Sequence, residues 1–315
     1  MSQQLTEWAL RNGYRVAWGP LSDLDAAHAE IAELRRGGAI DPCLFKHDLR
    51  FSPPPESSIS GARTVIVVAV PRHAHLVVFE FGNGRFQAIV PPTYCRYDSL
   101  PGDVGWSLAD AIRAKVWALK EYEAPLKPLA TRLGLASYGR NNLTYVTGMG
   151  SYLQLMGFLT EVDLGPCPSP RRERPSVLPE CQECDACRAA CPMGAISDDR
   201  FLIRAERCLT LFNERPDPWP QWIPTSAHNS LVGCMLCQEV CPRNRGLFTV
   251  EVLHPAFDPE ETTTVLEQEF AAHSPIWMRI RRNLQVMGLQ KWDAHLGRNL
   301  AALLASRGRR RDPIA

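Results

Sequence analysis

The sequence predicts an α/β domain over residues 1–165, a ferredoxin-like double-cluster module over 166–250 and a short C-terminal helical segment over 251–315. Three observations predict it. The first half mixes helical apolar spacing with short β-branched runs. Eight of the eleven cysteines then fall into two blocks, each ending in Cys-Pro. Beyond the second block, apolar residues recur at helical spacing almost to the end of the chain.

Taken in order, Leu5 to Arg11 and Leu24 to Leu34 read as helices, with Ser22 or Asp23 as N-cap of the second. Thr64 to Val70 is a β-branched run expected of a strand buried on both faces. Leu76 to Phe81 and Phe86 to Val90 flank Gly82-Asn83-Gly84-Arg85, a hairpin signal. Ser107 to Glu121 has the spacing of an amphipathic helix. Gly148-x-Gly150-Ser151 reads as a turn before a helix, whose amides suit a phosphate or an amide-bearing cofactor edge, or which serves as a plain cap. It lacks the third glycine of a dinucleotide fingerprint. Residues 166–179 turn to proline, arginine and serine and read as a linker. Residues 260–305 read as two or three helices, including Ile276 to Met287 and Trp292 to Leu304. Arg307 to Asp312 holds four arginines and reads as a solvated tail.

The cysteine blocks carry the chemistry. The first is Cys181-x2-Cys184-x2-Cys187-x3-Cys191-Pro192; the second is Cys208, an insertion, then Cys234-x2-Cys237-x3-Cys241-Pro242. Three thiols in one short run followed by Cys-Pro is the bacterial ferredoxin spacing, in which the Cys-Pro cysteine ligates the other run's cluster. The expected ligand sets are Cys181, Cys184, Cys187 and Cys241 for one [4Fe-4S] cluster, and Cys191, Cys208, Cys234 and Cys237 for the other. Zinc prefers two separated Cys-x2-Cys knuckles, and disulfides need an oxidising compartment. The insertion between Cys208 and Cys234 holds Pro216, Pro218, Trp219, Pro220, Trp222 and Pro224 and is expected to pack over a cluster. Cys43, Cys95 and Cys167 stand singly, without ligand spacing.

Composition bounds the rest. The chain has 315 residues, 45% hydrophobic and 22% charged, with a formal net charge of +1, so nothing global steers it to nucleic acid or membrane. The longest apolar stretch, Val65 to Val70, is too short to span a bilayer, and no secretory signal opens the chain. A cytoplasmic protein is expected, where thiols stay reduced. His73 and His75 would share one face of a strand and lack a third ligand. Asp293-Ala-His295-Leu-Gly297 departs by one position from a corrinoid-ligating Asp-x-His-x-x-Gly pattern and reads as surface.

The chain resembles the epoxyqueuosine reductase family, iron–sulfur proteins related to reductive dehalogenases. The resemblance runs through Arg50-Phe-Ser-Pro53, Ala62 to Val67, Tyr94-Cys-Arg-Tyr-Asp98, Pro125 to Asn141, Gly148-Met-Gly-Ser151 and both cysteine blocks, with Ala195-Ile196 and Gly233 beside them. It implies a corrinoid-reductase-like N-terminal domain, two cubane clusters, cobalamin, and reduction of an epoxide on a modified tRNA nucleoside. It places Tyr94, Arg96, Arg140 (where a lysine is usual), Asn141, Gly148, Gly150 and Ser151 near the cofactor. Two departures stand out. Tyr122 occupies the position of the family's proton-donating aspartate, and Pro128 that of a glutamate; the C-terminal extension is short. Tyr122, Glu123 and Tyr97 are the candidate proton donors. The expectation is a reductase fed by an external donor such as ferredoxin or flavodoxin, acting on a small or nucleoside-like substrate different from the family's. A tRNA partner is not expected, given the short C-terminal region.

Overall fold

A computed structural model of the chain describes residues 1–42, 44, 61–82, 84–123, 125–169, 177–267 and 274–307. Cys43, Arg50-Phe-Ser-Pro53 and most of the arginine tail lie outside the described residues. In chain order the elements are α1 (Ser2–Arg11), β1 (Arg15–Pro20), α2 (Leu21–Arg36), β2 (Thr64–Pro71), β3 (Ala74–Phe81), β4 (Gly84–Val90) and α3 (Leu100–Ala111). Then come β5 (Leu119–Glu121), α4 (Leu126–Arg132), β6 (Ser137–Tyr138), β7 (Thr144–Tyr145), β8 (Leu153–Thr160), α5 (Ala186–Ala190), α6 (Leu209–Asn213) and α7 (Leu236–Glu239). The chain closes on β9 (Val250–Val252), α8 (Pro259–Glu267), α9 (Pro275–Met287) and α10 (Leu296–Arg307).

Two compact units result, and they do not follow the divisions at 165 and 250 expected from the sequence. One comprises Met1–Arg72, Asp98–Asp185 and Ile196–Ala205; the other His73–Tyr97, Ala186–Ala195 and Glu206–Ala315. The correction has a physical cause. The β3–β4 hairpin buries Val77, Phe79, Ala88 and Val90 against Val265, Trp277, Ile280, Leu284, Leu300 and Leu303, so it shares a core with the C-terminal helices.

The first unit is built on an antiparallel sheet of order β1-β2-β8-β5. β2 explains its own composition. Val65, Val67 and Ala69 pack with Leu24, Ala27, Leu129 and Leu133, while Ile66, Val68 and Val70 pack with Leu5, Trp8, Leu108 and Ile112. Both faces are covered, which is what a continuous β-branched run needs. Three local expectations are corrected here. α2 starts after Pro20, and Ser22 and Asp23 lie inside it, Asp23 meeting the positive end of the helix. The helix expected to reach Glu121 stops at Ala111, and Leu119 to Glu121 instead pairs with β8, from Leu119↔Thr160 to Glu121↔Phe158. Sheet-edge pairing outweighs helical periodicity there. Finally, Gly148 to Ser151 leads into strand β8, not a helix.

The second unit holds a sheet of order β4-β3-β9, with β9 parallel to β3. Phe79 and Phe257 stack at 5.0 Å between centroids. α9 begins at a Ser274 cap whose hydroxyl accepts from the Trp277 amide, and ends at Gly288 in the left-handed conformation, φ 70°. The expected Trp292 to Leu304 helix is a six-residue 3-10 turn from Gln290 to His295, then α10. His295 is buried there, which corrects the expectation of a surface position. Among the described residues no helix is long and apolar enough to cross a membrane.

Candidate iron–sulfur site

The second unit brings six cysteines of the two blocks together: Cys187, Cys191, Cys208, Cys234, Cys237 and Cys241. Cys187 and Cys237 lie on α5 and α7 and Cys208 immediately precedes α6, helices of only four or five residues, while Pro192 and Pro242 follow Cys191 and Cys241. Gly194 and Gly233 both take positive φ, 58° and 65°, turning the chain back towards the thiols. None of the ten described cysteines is in a disulfide.

Three of these thiols are raised by burial and by their neighbours. Burial pushes Cys234 up to about 11, with Cys208 and Cys191 adding to it. Burial raises Cys237 well above the usual thiol range, reinforced by Cys234, Cys208, Cys187 and Cys191, and raises Cys208, with Cys191 and Glu214 adding. Without iron these sulfurs therefore keep their protons. Iron supplies the positive charge that makes buried thiolates favourable, and binding releases those protons. The sulfurs also accept hydrogen bonds: Ala195 N–H donates to Cys191 Sγ at 3.3 Å and Asn229 Nδ2 to Cys234 Sγ at 3.2 Å. Such bonds tune a cluster's potential. Asn229 is itself fixed, because its Oδ1 accepts from the Met235 amide at 3.1 Å. The residues thus fit a cluster: Cys191 and Cys208 act on Cys234, all three act on Cys237, and Cys237 feels Cys187 of the other expected set as well. Cys181 and Cys184 belong to the first unit.

Tyr94 adjoins this group. Its hydroxyl donates to Glu214, and burial, Glu214, Cys208 and Cys234 all hold its proton on. Trp292 Nε1 donates to the Tyr94 carbonyl at 3.2 Å, and the two rings meet edge to face at 5.1 Å. Arg96 is exposed in the left-handed region at φ 54°, with its amide bonded to the Gly288 carbonyl at 2.9 Å. Tyr97 is exposed, with the Lys291 ammonium 4.4 Å above its ring.

In the first unit, Tyr122 lies 3.2 Å from His28 Nε2, and burial pushes its phenol up to about 12, so it holds its proton at neutral pH. Glu123 is exposed. Glu121, which sequence reasoning missed, has its carboxyl raised by burial, then by Glu123 and Asp98. The signal was the Glu-Tyr-Glu alternation, hidden while the segment read as helix. Arg140 donates to Asp198 and to the Cys181 carbonyl, and at 3.3 Å to the Gln182 carbonyl, so it clamps the start of the first cysteine block. Asn141 is buried, its amide donating to Tyr145 Oη at 3.0 Å while its Oδ1 accepts from Leu143 N–H at 3.3 Å. Gly148 and Gly150 close a turn in which Val146 N–H donates to the Gly150 carbonyl at 3.0 Å. Ser151 is buried beside it.

The corrinoid implied by the resemblance finds no cradle in these residues. Arg140, Asn141 and the Gly148–Gly150 turn are engaged by the unit itself. Two cavities of this unit, about 630 and 740 Å³, are lined by other residues, among them Glu30, Arg132 and Phe201 in one and Trp18, Arg63 and Asp163 in the other. No chemical step is therefore derived through a corrinoid.

Two buried histidines of the second unit set a pH dependence. Burial lowers His228 and His295 to about 4 each, with Arg298 adding to it. An unfolded chain protonates them near 6.5, so between those values the unfolded state binds more protons. Stability is complete above pH 6.5 and falls as pH drops towards 4. Urea denaturation of the iron-free protein at several pH values should show this slope, and His295→Gln should flatten it; a slope identical in the variant would refute the assignment.

Residues 180–244 match the family described as the 4Fe-4S double cluster binding domain. Epoxyqueuosine reductase of Synechococcus sp. (strain RCC307) is 32% identical over 148 residues, 46% of this chain and 43% of that protein. The match spans less than half the length of the first curated relatives. The structure of epoxyqueuosine reductase from Streptococcus thermophilus has the same fold, with TM-score 0.69 at 19% identity, covering 98% of this chain and 82% of that one. A crystal structure of epoxyqueuosine reductase with an epoxyqueuosine-modified tRNA-Tyr stem loop has TM-score 0.66 at 20% identity, over 96% and 80% of the chains. The resemblance read from the sequence is borne out, and the chain carries a double [4Fe-4S] domain. The expectation against tRNA is corrected: a protein of this fold is solved with a tRNA stem loop.

Proposed function

We propose that this chain is an iron–sulfur reductase that takes single electrons from an external carrier and passes them through two [4Fe-4S] clusters to an oxidised, nucleoside-like acceptor. The observation that carries this is the gathering of six block cysteines in one unit, where burial and neighbouring block cysteines raise the thiols of Cys208, Cys234 and Cys237. The carrier is a ferredoxin, a flavodoxin or a similar small protein, and the setting is the cytoplasm, where thiols stay reduced. Because one relative holds an epoxyqueuosine-modified stem loop, an RNA-borne nucleoside is the first acceptor to test.

Reducing an epoxide to an alkene consumes electrons and protons and releases water. On the proton side this chain offers Tyr122, protonated and held by His28, with Glu121 and Glu123 on either side in sequence. Tyr122 in place of the family's aspartate, and Pro128 in place of its glutamate, support an acceptor different from the relatives' own. Cobalamin rests on the resemblance; when bound it would supply the bond-cleaving chemistry. The engagement of Arg140 and Asn141 favours a second reading, a reductase whose electrons leave the clusters without a corrinoid.

Anaerobic reconstitution should give about eight iron and eight sulfide per chain. The dithionite-reduced protein should then reoxidise when an acceptor is added, and an epoxyqueuosine stem loop is the first to try. Turnover of that stem loop at the relatives' rate would overturn the different-acceptor reading, and a colourless zinc protein would overturn the whole proposal. Added cobalamin should leave the visible spectrum the sum of its parts if the second reading holds; a changed corrinoid band would overturn it.

A further inference from the structure

We infer that the insertion between Cys208 and Cys234 is a lid that keeps water from the Cys191, Cys208, Cys234 and Cys237 cluster, and that Arg298 is the residue that latches it. The inference rests on the cluster reading above and adds to it a positioning residue far from the cysteines in sequence.

The inner side of the insertion is apolar and meets the ligands. Ala227, fully buried, packs with Met193 and Leu209, and Ile223 joins the same cluster together with Cys191 and Cys234. Its outer rim, including Pro216 to Pro218 and Trp222, is exposed. The insertion has almost no regular structure to hold itself closed. Beyond α6 it contains only a 3-10 turn from Thr225 to Ala227, and its prolines remove amide donors. Its carbonyls are met instead from α10. Arg298 donates to the carbonyls of Phe212 at 2.9 Å, Arg215 at 2.7 Å and Asp217. The next residue, Asn299, is buried and donates to the carbonyls of Asn213 and Leu231, both at 2.9 Å, fixing the two ends of the insertion. Ser306 donates to the His228 carbonyl at 2.8 Å. The Arg298 guanidinium also lies 4.4 Å above the Trp219 ring, whose other neighbour is the His228 ring at 4.0 Å.

A guanidinium is suited to this task. Its planar fork serves several carbonyls at once and still stacks on an indole, whereas a lysine ammonium keeps the charge but loses the fork. The consequence falls on the cluster. Reduction adds a negative charge to an all-thiolate cubane, so water reaching it favours the reduced form and raises the potential. Arg298→Lys separates lid closure from charge, and Ile223→Ala opens the lid from the side facing the sulfurs.

The test uses the reconstituted full chain, with iron content measured first. In both variants the cluster that a Cys234→Ala chain lacks should show a raised midpoint potential by EPR-monitored titration. Its visible absorbance should bleach several-fold faster in air, while the other cluster is unmoved. Full iron with unchanged potential and bleaching would overturn the lid, and so would an equal shift of both clusters, which marks general loosening. If Arg298→Lys fails to fold, Ile223→Ala decides alone. A wild-type chain that binds no iron refutes the cluster reading instead, so the two failures are distinct.

Discussion

Cys234→Ala is expected to leave about half the iron of the wild-type chain, because the ferredoxin arrangement divides eight thiolates into two sets of four. Cys234 accepts a hydrogen bond from Asn229, and its thiol is raised by desolvation, with Cys208 and Cys191 adding to it. Its loss removes one corner of a shared site. Of the partners left behind, Cys208 and Cys237 have thiols raised by burial that keep their protons without iron, so partial ligation gains little. The other set contains none of Cys191, Cys208 or Cys237 and should stay loaded. Cys167→Ala serves as the control, since Cys167 packs beside apolar cores of the first unit and should leave iron content unchanged. Iron and sulfide quantitation with EPR checks the outcome. Complete loss of both clusters, or full retention, would show the assignment of ligands to be mistaken.

Gly233→Ala should cost about 2–5 kcal/mol of stability, a left-handed conformation costing about 1–2 and overpacking about 1–3. Gly233 sits at φ 65°, and a Cβ there would lie 2.6 Å from Tyr94 Cζ and 2.8 Å from Cε2. The ring has little room to yield, because its hydroxyl is tied to Glu214 and its face to Trp292. Asn213 and Ser230 both donate to the Gly233 carbonyl at 2.9 Å, which holds the backbone in place. Urea denaturation would read the loss. A Gly233→Ala/Tyr94→Leu double variant should recover part of it, since contacting residues are not additive. Strict additivity would show that the strain lies in the backbone alone.

The legible features were those whose cause is local. Thr64 to Val70 is a strand with two covered faces because β-branched side chains alternate into Leu24 and Leu129 on one side and Leu5 and Leu108 on the other. The hairpin at β3–β4 followed from its turn residues, and the helix expected over Ile276 to Met287 followed from its apolar spacing. Leu119 to Glu121 was misread because its periodicity suits a helix while its partner, the edge of β8, is distant in sequence. His295 was misread as surface for a related reason: a polar residue among helical ones gives no sign of the core that closes over it.

Spacing of thiols, a property of the chain alone, pointed to the double [4Fe-4S] domain that the family match over residues 180–244 shows, and named the cysteines proposed to hold it. Cluster ligation needs particular atoms at particular separations, and short runs fix those separations before any folding. What surrounds the ligands was decided in three dimensions. Tyr94, Glu214, Asn229 and Arg298 come from separate stretches of sequence, and no motif links them. Only the packing of one compact unit places a phenol and an amide beside the sulfurs and a guanidinium on the carbonyls of the insertion next to them.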